Sequence, residues 1–541
     1  MRFKFLSLIN FCFFVFSGIA HAQNNTSIDV QHYTFDLILS DNTDTINGTA
    51  IMHIKFLKNT SSIQLDLGNI NSSGKGMQVI STMTDLKLAT FEHNNDKLLI
   101  RLHAMAKAGD SQTVIVKYKG IPADGLIISK NLFNKRTFFG DNWPDRARYW
   151  LPCNDIPSDK ASVAFIVTAP SHYSIVSNGV MTDEHRLNDS VKLTHWKEDV
   201  PLPTKVMVIG AADFAVSDAG YAGDIPVTSW VYQDDKEQGF YDYAKAKDIL
   251  QYFINYIGPY GYKKLANVQS KTIFGGMENA GAIFYFERSV TGKGKVEDLL
   301  AHEIAHQWFG DMVTESNFKH LWLSEGFATY LTDIYLESKY GRDSMLHRLG
   351  GERDKVIDFT KRTLSPVIDT TSNYKKLLNA NSYQKGAWVL HMLRNKVGDS
   401  VFKNIIREQY RKYAGSNASS ENFIATAEKL SHQHLQVFFK QWLYKPGIPV
   451  VSTDWKYDPV KKKVLITIGQ QQAGLFSFPM EFLLITEKGK LLKSIPVQKR
   501  KTVKAFSVNE KVIDVIPDPN TQLLWQAISK YTVTVPGPTS F

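Results

Sequence analysis

Cysteine is almost absent from this chain: 541 residues contain two, Cys12 and Cys153. Cys12 lies in an N-terminal stretch that reads as removable, so the remaining chain cannot form an internal disulfide. Apolar residues make up 43% of the sequence, enough to build a large core without cross-links. With no partner, Cys153 reads as a small buried apolar residue rather than a nucleophile. Long hydrophobic runs are also missing beyond the N-terminus, so no later segment is long and apolar enough to span a bilayer. There is no internal repeat and no low-complexity tract. Nor is there a basic stripe interleaved with aromatics, which argues against nucleic acid as a partner. The formal charge of +10 is scattered, with Lys461-Lys462-Lys463 as its densest run. That run reads as a solvated hairpin end, and the charge as an aid to solubility with a mild preference for anionic surfaces.

The first 22 residues differ from the rest. Arg2 and Lys4 precede an almost wholly apolar run over 5–19, and Ala20-His21-Ala22 supplies a small-x-small pattern. This predicts a secretory signal peptide cleaved after Ala22, an exported protein, periplasmic or secreted, and no stable membrane anchor after cleavage. The apolar run falls short of the ~20 residues of a spanning helix.

Length predicts about three domains. Over 23–216 the sequence shows short alternating runs broken by turn residues, such as 34–39 and 50–56, which predicts a β-rich domain. From about Gln238 the period becomes helical. Residues 241–257 carry apolar positions at three- and four-residue spacing and stop at Gly258-Pro259. Helical patterns continue to about Tyr444, giving a mainly helical domain over 217–445. Lys445-Pro446-Gly447-Ile448-Pro449 is a breaker cluster. Strand-like runs at 464–468 and 482–486 then predict a small all-β domain over 446–541. The fold class is therefore multidomain α+β.

The chemistry concentrates in the middle of the chain. His302-Glu303-Ile304-Ala305-His306 lies in a stretch, 296–309, without glycine or proline. Residues i and i+4 share a helix face, so both imidazoles can reach one metal ion. The pattern alone occurs by chance in about 2% of chains this long, and a third ligand is needed to raise its weight. Glu325 supplies one. It follows on a second predicted helix, running through Tyr340, and two antiparallel helices can bring it against the histidines. Two histidines, one carboxylate and one open position describe a catalytic zinc site. Glu303, beside the ligands, is placed to move the proton of a metal-activated water to a leaving amine.

With these residues in view, the chain resembles the aminopeptidase N family of zinc metallopeptidases, in the gluzincin group. Gly275-Gly276-Met277-Glu278-Asn279 is similar to the family's Gly-x-Met-Glu-Asn signature, whose glutamate binds the substrate's free α-amino group. The chemistry is consistent: a buried ammonium requires a carboxylate partner, and glycine allows close backbone approach. Tyr383, which opens Tyr383-Gln384-Lys385-Gly386-Ala387, resembles the tyrosine that donates to the developing oxyanion. Arg148 and the 152–157 segment also match. The resemblance implies a thermolysin-like catalytic domain, a C-terminal β-sandwich, one Zn²⁺ per chain and peptide substrates with a free N-terminus; it leaves the oligomeric state open.

Two departures stand out. Where many members carry glutamines or a glutamate for the amine pocket, this sequence reads Gly140-Asp141-Asn142-Trp143. Either Asp141 substitutes as the acidic partner, or Trp143 walls the first side-chain pocket. Many members also carry a large helical domain after the sandwich, so the chain resembles a short form with a more open cleft. The competing readings are a thermolysin-type zinc endopeptidase, an epoxide hydrolase with aminopeptidase activity, and an inactive binding scaffold. Glu278 argues against the first, the lack of room for a helical domain against the second, and a full set of competent side chains against the third.

Overall fold

A computed structural model describes residues 27–528; the expected signal peptide lies outside them. The N-terminal part is built on an eight-stranded mixed sheet with the order Val180–Arg186, Val191–Pro203, Lys160–Pro170, Ile28–Ile38, Ile46–Phe56, Ser111–Ile121, Gly76–Thr84, Lys87–Ala89. Ile28–Ile38 pairs in parallel with Lys160–Pro170 and antiparallel with Ile46–Phe56. Its side chains alternate, burying Ile28 and Val30 and then Tyr33, Phe35 and Leu37. The phase changes between Val30 and Tyr33 because a bulge shifts the register there, keeping both apolar sets on the core face. Smaller sheets of three and four strands accompany it. Cys153 is fully buried and bridges backbone to backbone with Asp66; burial pushes its thiol well above the ordinary range, as suits an inert core residue.

A five-stranded sheet follows, ordered Phe214–Ala222, Ile225–Tyr232, Leu265–Ser270, Ala282–Phe286, Gly276–Met277. The expected domain limit after 216 falls inside its first strand, so the limit is corrected to the loop before Phe214. The strand Phe214–Ala222 hydrogen-bonds to Ile225–Tyr232 and not to the N-terminal sheets. Leu265–Ser270 is buried along its whole length and shows no two-residue alternation, which is why a helical reading of this region overlooked it. The helix expected over 241–257 is two helices, Lys236–Tyr243 and Ala246–Tyr256.

Three helices carry or adjoin His302, Glu303, His306, Glu325 and Tyr383. The histidine helix is Glu297–His306 and the glutamate helix Trp322–Tyr340. The tyrosine helix, Gly386–Val397, is preceded by a π-turn over Asn381–Lys385. The glutamate helix ends at Gly341, whose φ of 88° lies in the left-handed region glycine favours. After the breaker cluster come a four-stranded sheet (Lys501–Ser507, Lys463–Gln470, Val450–Asp458, Gln526–Ala527) and a three-stranded one (Gly489–Val497, Phe478–Thr486, Val512–Pro517). They bury Val464, Ile466, Ile468, Met480, Phe482 and Leu484. Lys461 and Lys462 sit in the turn between Val450–Asp458 and Lys463–Gln470. Among the described residues no helix is long and apolar enough to cross a membrane.

The glutamate and tyrosine helices cross where two glycines meet. A Cβ on Gly326 would lie 2.9 Å from Gly386 Cα and 3.1 Å from the Ser382 carbonyl oxygen. Both obstacles are backbone, so neither can move aside cheaply. The crossing brings Glu325 and Tyr383, close neighbours of these glycines in sequence, to the same place. Gly326→Ala is expected to destabilise the fold by about 1–3 kcal/mol, as overpacking does. Thermal unfolding checks this; an unchanged midpoint would show that the crossing tolerates separation.

Candidate active site

On the histidine helix, His302 and His306 stand one turn apart, and their Nε2 atoms are 3.1 Å from each other. Glu325 Oε2 lies 3.4 Å from His302 Nε2 and 3.3 Å from His306 Nε2. Three donor atoms at these separations surround a point about 1.9 Å from each, close to the ~2.0–2.1 Å of a zinc–ligand bond. Glu325 Oε2 is buried without a hydrogen-bond partner. An orphaned buried carboxylate oxygen facing two imidazole nitrogens fits a divalent cation and little else.

The neighbouring shell fixes the histidine. His306 Nδ1 is 3.1 Å from the Phe309 carbonyl and 3.0 Å from Ser324 Oγ. Donation from Nδ1 to the carbonyl leaves the Nε2 lone pair for the cation. Gly310 makes room for this arrangement. Its φ is 131°, and a Cβ there would sit 2.6 Å from Ser324 Oγ and 3.0 Å from His306 Nδ1.

Glu303 projects from the same helix toward the edge strand Gly276–Met277. A Cβ on Gly276 would lie 2.3 Å from Glu303 Oε1 and 2.4 Å from its carboxyl carbon. Only glycine allows the carboxylate to rest against this strand. Burial is the main reason the Glu303 carboxyl is pushed up to about 8, with Glu278 and Glu325 adding to the rise and His306 opposing it. A cation held beside it works in the opposite direction.

Glu278 follows the edge strand. It is buried, and its Oε1 has no hydrogen-bond partner. Ligand atoms of Glu278, Glu303 and His306 all lie within 4.8 Å of one another. Gln307 ties this segment to the histidine helix. Its Nε2 donates to the Glu278 carbonyl at 2.9 Å and to Asp311 Oδ2 at 3.0 Å, while its Oε1 accepts from Gly281 N at 2.8 Å. Asn279 is fully buried, and its side-chain amide is unpaired at both ends. Met277 is buried in the core and Gly275 is exposed at the rim. Tyr383 stacks its ring on His302, centroids 6.0 Å apart and planes 11° apart. Burial first, then the carboxylates of Glu325, Glu278 and Glu303, raise its hydroxyl well above the ordinary tyrosine range, so it stays a proton donor. The fold thus brings His302, Glu303, His306, Glu325, Glu278 and Tyr383 close together.

Several neighbours gave little or no sequence signal. Lys205 and Glu315 form an ion pair of 2.7 Å that is almost completely buried, and Glu278 acts on Lys205 electrostatically. Lys205 lies just before the apolar run 206–210, and a charge in such a position was the one available hint. Gln307 and Ser324 have no feature that separates them from ordinary helix residues. Of the two alternatives at the amine pocket, Asp141 has both oxygens engaged. One binds Arg146; the other accepts from Thr272 Oγ1 and Ile273 N, each at 3.0 Å. Asp141 therefore holds the segment that leads into Gly275. Trp143 is buried edge-on against Phe274 and Phe318, with its indole N–H unpaired.

Comparison with known proteins places this geometry. The model of the Peptidase M1 N-terminal domain matches residues 29–206, and that of the Peptidase family M1 domain matches residues 241–442, together well over half the chain. The chain belongs to peptidase family M1. It is 28% identical over 344 residues to glutamyl aminopeptidase of Bos taurus, covering 60% of this chain and 36% of that protein. It is 25% identical over 470 residues to probable aminopeptidase 1 of Sulfurisphaera tokodaii, covering 83% and 57%. The chain thus spans about a third to just over half of these relatives. In fold it is similar to Legionella pneumophila aminopeptidase A, solved in complex with aspartic acid. The TM-score is 0.79 and the identity 17%, covering 94% of this chain and 60% of that one. It is also similar to a Deinococcus radiodurans M1 zinc metallopeptidase variant bound to a Tyr-Ser-Ala substrate. Here the TM-score is 0.68 and the identity 22%, covering 79% and 96%.

Gly276→Ala tests the contact between strand and carboxylate. The added methyl group must displace Glu303 or the edge strand. Activity is expected to fall on the order of 10²-fold, the size of a 1 Å misplacement, while metal content stays at the level of the unaltered protein. Kinetics alongside elemental analysis decides, and full activity would show that Glu303 does not need this seat.

Proposed function

We propose that the protein is a zinc-dependent aminopeptidase that releases single residues from the free N-terminus of peptides. The observation that carries this reading is the buried Glu278 carboxylate, its Oε1 unpaired, beside the His302–His306–Glu325 triangle. His302, His306 and Glu325 hold one Zn²⁺ per chain. When bound, zinc supplies Lewis acidity and lowers the pKa of water to ~7. Glu278 receives the substrate's α-ammonium, which fixes the scissile bond one residue from the N-terminus. Gly275, Gly276 and Met277 align the substrate backbone along the strand edge, and Asn279 offers its unpaired amide beside it. Glu303 takes a proton from the attacking water and passes it to the leaving amine. Tyr383 donates its hydroxyl proton to the carbonyl oxygen as negative charge develops there.

The remaining parts of the reading follow from sequence. Residues 1–22 are a signal peptide, and the mature chain is periplasmic or secreted, without a stable membrane anchor. The catalytic domain is thermolysin-like and extends to about residue 445, and the two C-terminal sheets form a β-sandwich. Nucleic acid is not a partner.

Two experiments test the proposal. First, chelation should abolish activity and added zinc restore it. Glu303→Gln should retain near-stoichiometric zinc while turnover falls by orders of magnitude, because the ligands remain and the base is lost. Full activity in protein free of divalent metal would reject the metal reading. Second, the enzyme should cleave a free dipeptide amide and ignore its N-acetylated form. Glu278→Ala should cost roughly 2–5 kcal/mol in kcat/KM for free-amine substrates. Equal cleavage of acetylated or internal bonds would leave an endopeptidase of the thermolysin type as the better reading.

A further inference from the structure

Tyr383 sits on a segment held from two directions. On one side, the Gly326–Gly386 contact fastens it to the helix of Glu325. On the other side lies the C-terminal region, and two buried side chains reach it. Lys385, with 1% of its surface exposed, donates from Nζ to the carbonyl oxygens of Gly447 at 2.9 Å and Lys445 at 3.4 Å. His391, two turns further along and fully buried, lies with Nε2 2.9 Å from the Thr521 carbonyl and Nδ1 3.0 Å from the Tyr330 hydroxyl. Asn395 Nδ2 lies 3.0 Å from the same Nε2, so the buried ring is held by the Thr521 carbonyl, Asn395 and the Tyr330 hydroxyl together.

The acceptor of His391 is itself held in place. Asp518 takes hydrogen bonds from Gln522 N at 2.7 Å and from the Trp525 indole at 3.1 Å, and Thr521 N donates to the Asp518 carbonyl at 3.1 Å. Thr521 keeps a φ of 53°, a left-handed conformation that a β-branched residue adopts only under such constraint.

Lys385 has two carbonyl partners and no carboxylate among its contacts, so its charge is buried without a counter-ion. Burial pulls its ammonium down to about 7. For stability alone, an apolar side chain of similar length would serve as well or better. What a methionine cannot do is fix the distance between the turn of Tyr383 and the carbonyls of residues 445 and 447. The turn that needs fixing is a π-turn, a wide and locally irregular one.

We propose that Lys385 and His391 are positioning residues through which the region 445–528 braces the Tyr383 hydroxyl against the His302–Glu325 cluster. This rests on the reading of Tyr383 as the oxyanion donor.

A double-mutant cycle tests it. Lys385→Met is made in the full-length zinc-loaded protein and in Tyr383→Phe, and kcat, KM, zinc content and thermal midpoint are measured for each. Expected is a kcat lowered on the order of tenfold in the first background, with KM and zinc content unchanged and no loss in the thermal midpoint. Lys385→Arg, which keeps a donor, should recover most of the turnover. In the Tyr383→Phe background the same substitution should change kcat no further, since the hydroxyl it positions is gone. An equal drop in both backgrounds would overturn the brace while leaving the oxyanion reading intact. A loss of stability with kcat preserved would overturn it too. If Tyr383→Phe alone leaves kcat unchanged, the oxyanion reading falls and the brace with it. Should Lys385→Met fail to fold, His391→Phe is read by the same cycle and the same criteria.

Discussion

Three buried carboxylates, Glu278, Glu303 and Glu325, converge on two imidazoles in the centre of this molecule. So much acidic charge in a desolvated space is stable only with positive charge among it. The rest of the local structure can be understood from that constraint. In the proposed reading a divalent cation answers Glu325, an incoming ammonium answers Glu278, and Glu303 is left between them to carry a proton. The segments that carry these carboxylates are held close by glycine contacts and by Gln307. Glu303 rests on Gly276, Glu325 precedes the glycine crossing, and the carbonyl of Glu278 is held by Gln307.

Glycine has a consistent role here. Gly276, Gly310 and Gly326 each occupy a place where a methyl group would strike a functional side chain or another backbone. Their value lies in the volume they leave empty, and that volume is taken by Glu303, by the His306–Ser324 contact and by the tyrosine segment respectively. A cluster built this way depends on close approach of rigid elements more than on any single hydrogen bond.

How much of this the sequence revealed follows from the kind of signal each feature leaves. The His302–His306 pair was legible because an i, i+4 spacing is a direct image of helix geometry, and the Gly-Gly-Met-Glu-Asn segment because it resembles a family signature. Strands of the N-terminal sheet were legible by their alternation. Leu265–Ser270 was not, because a strand buried on both faces loses that period. The limit at 216 was misplaced for a related reason: Phe214–Ala222 alternates like the strands before it, yet pairs with those after it. Lys205, Glu315, Gln307 and Ser324 act through contacts distant in sequence, and no local pattern records such contacts. Asp141 could be seen as a departure, but only its bonds to Arg146, Thr272 and Ile273 disclose what it does.

The edge strand Gly276–Met277 has one further consequence. An open sheet edge is a hazard, since its unpaired N–H and C=O groups invite strands of other molecules and can seed aggregation. This edge is two residues long, and the carboxylate of Glu278 stands at its end. It offers too few groups to pair with a folded neighbour's strand, and a side chain that repels one arriving without a positive charge. The brevity of this strand thus leaves little main chain for a foreign strand to pair with.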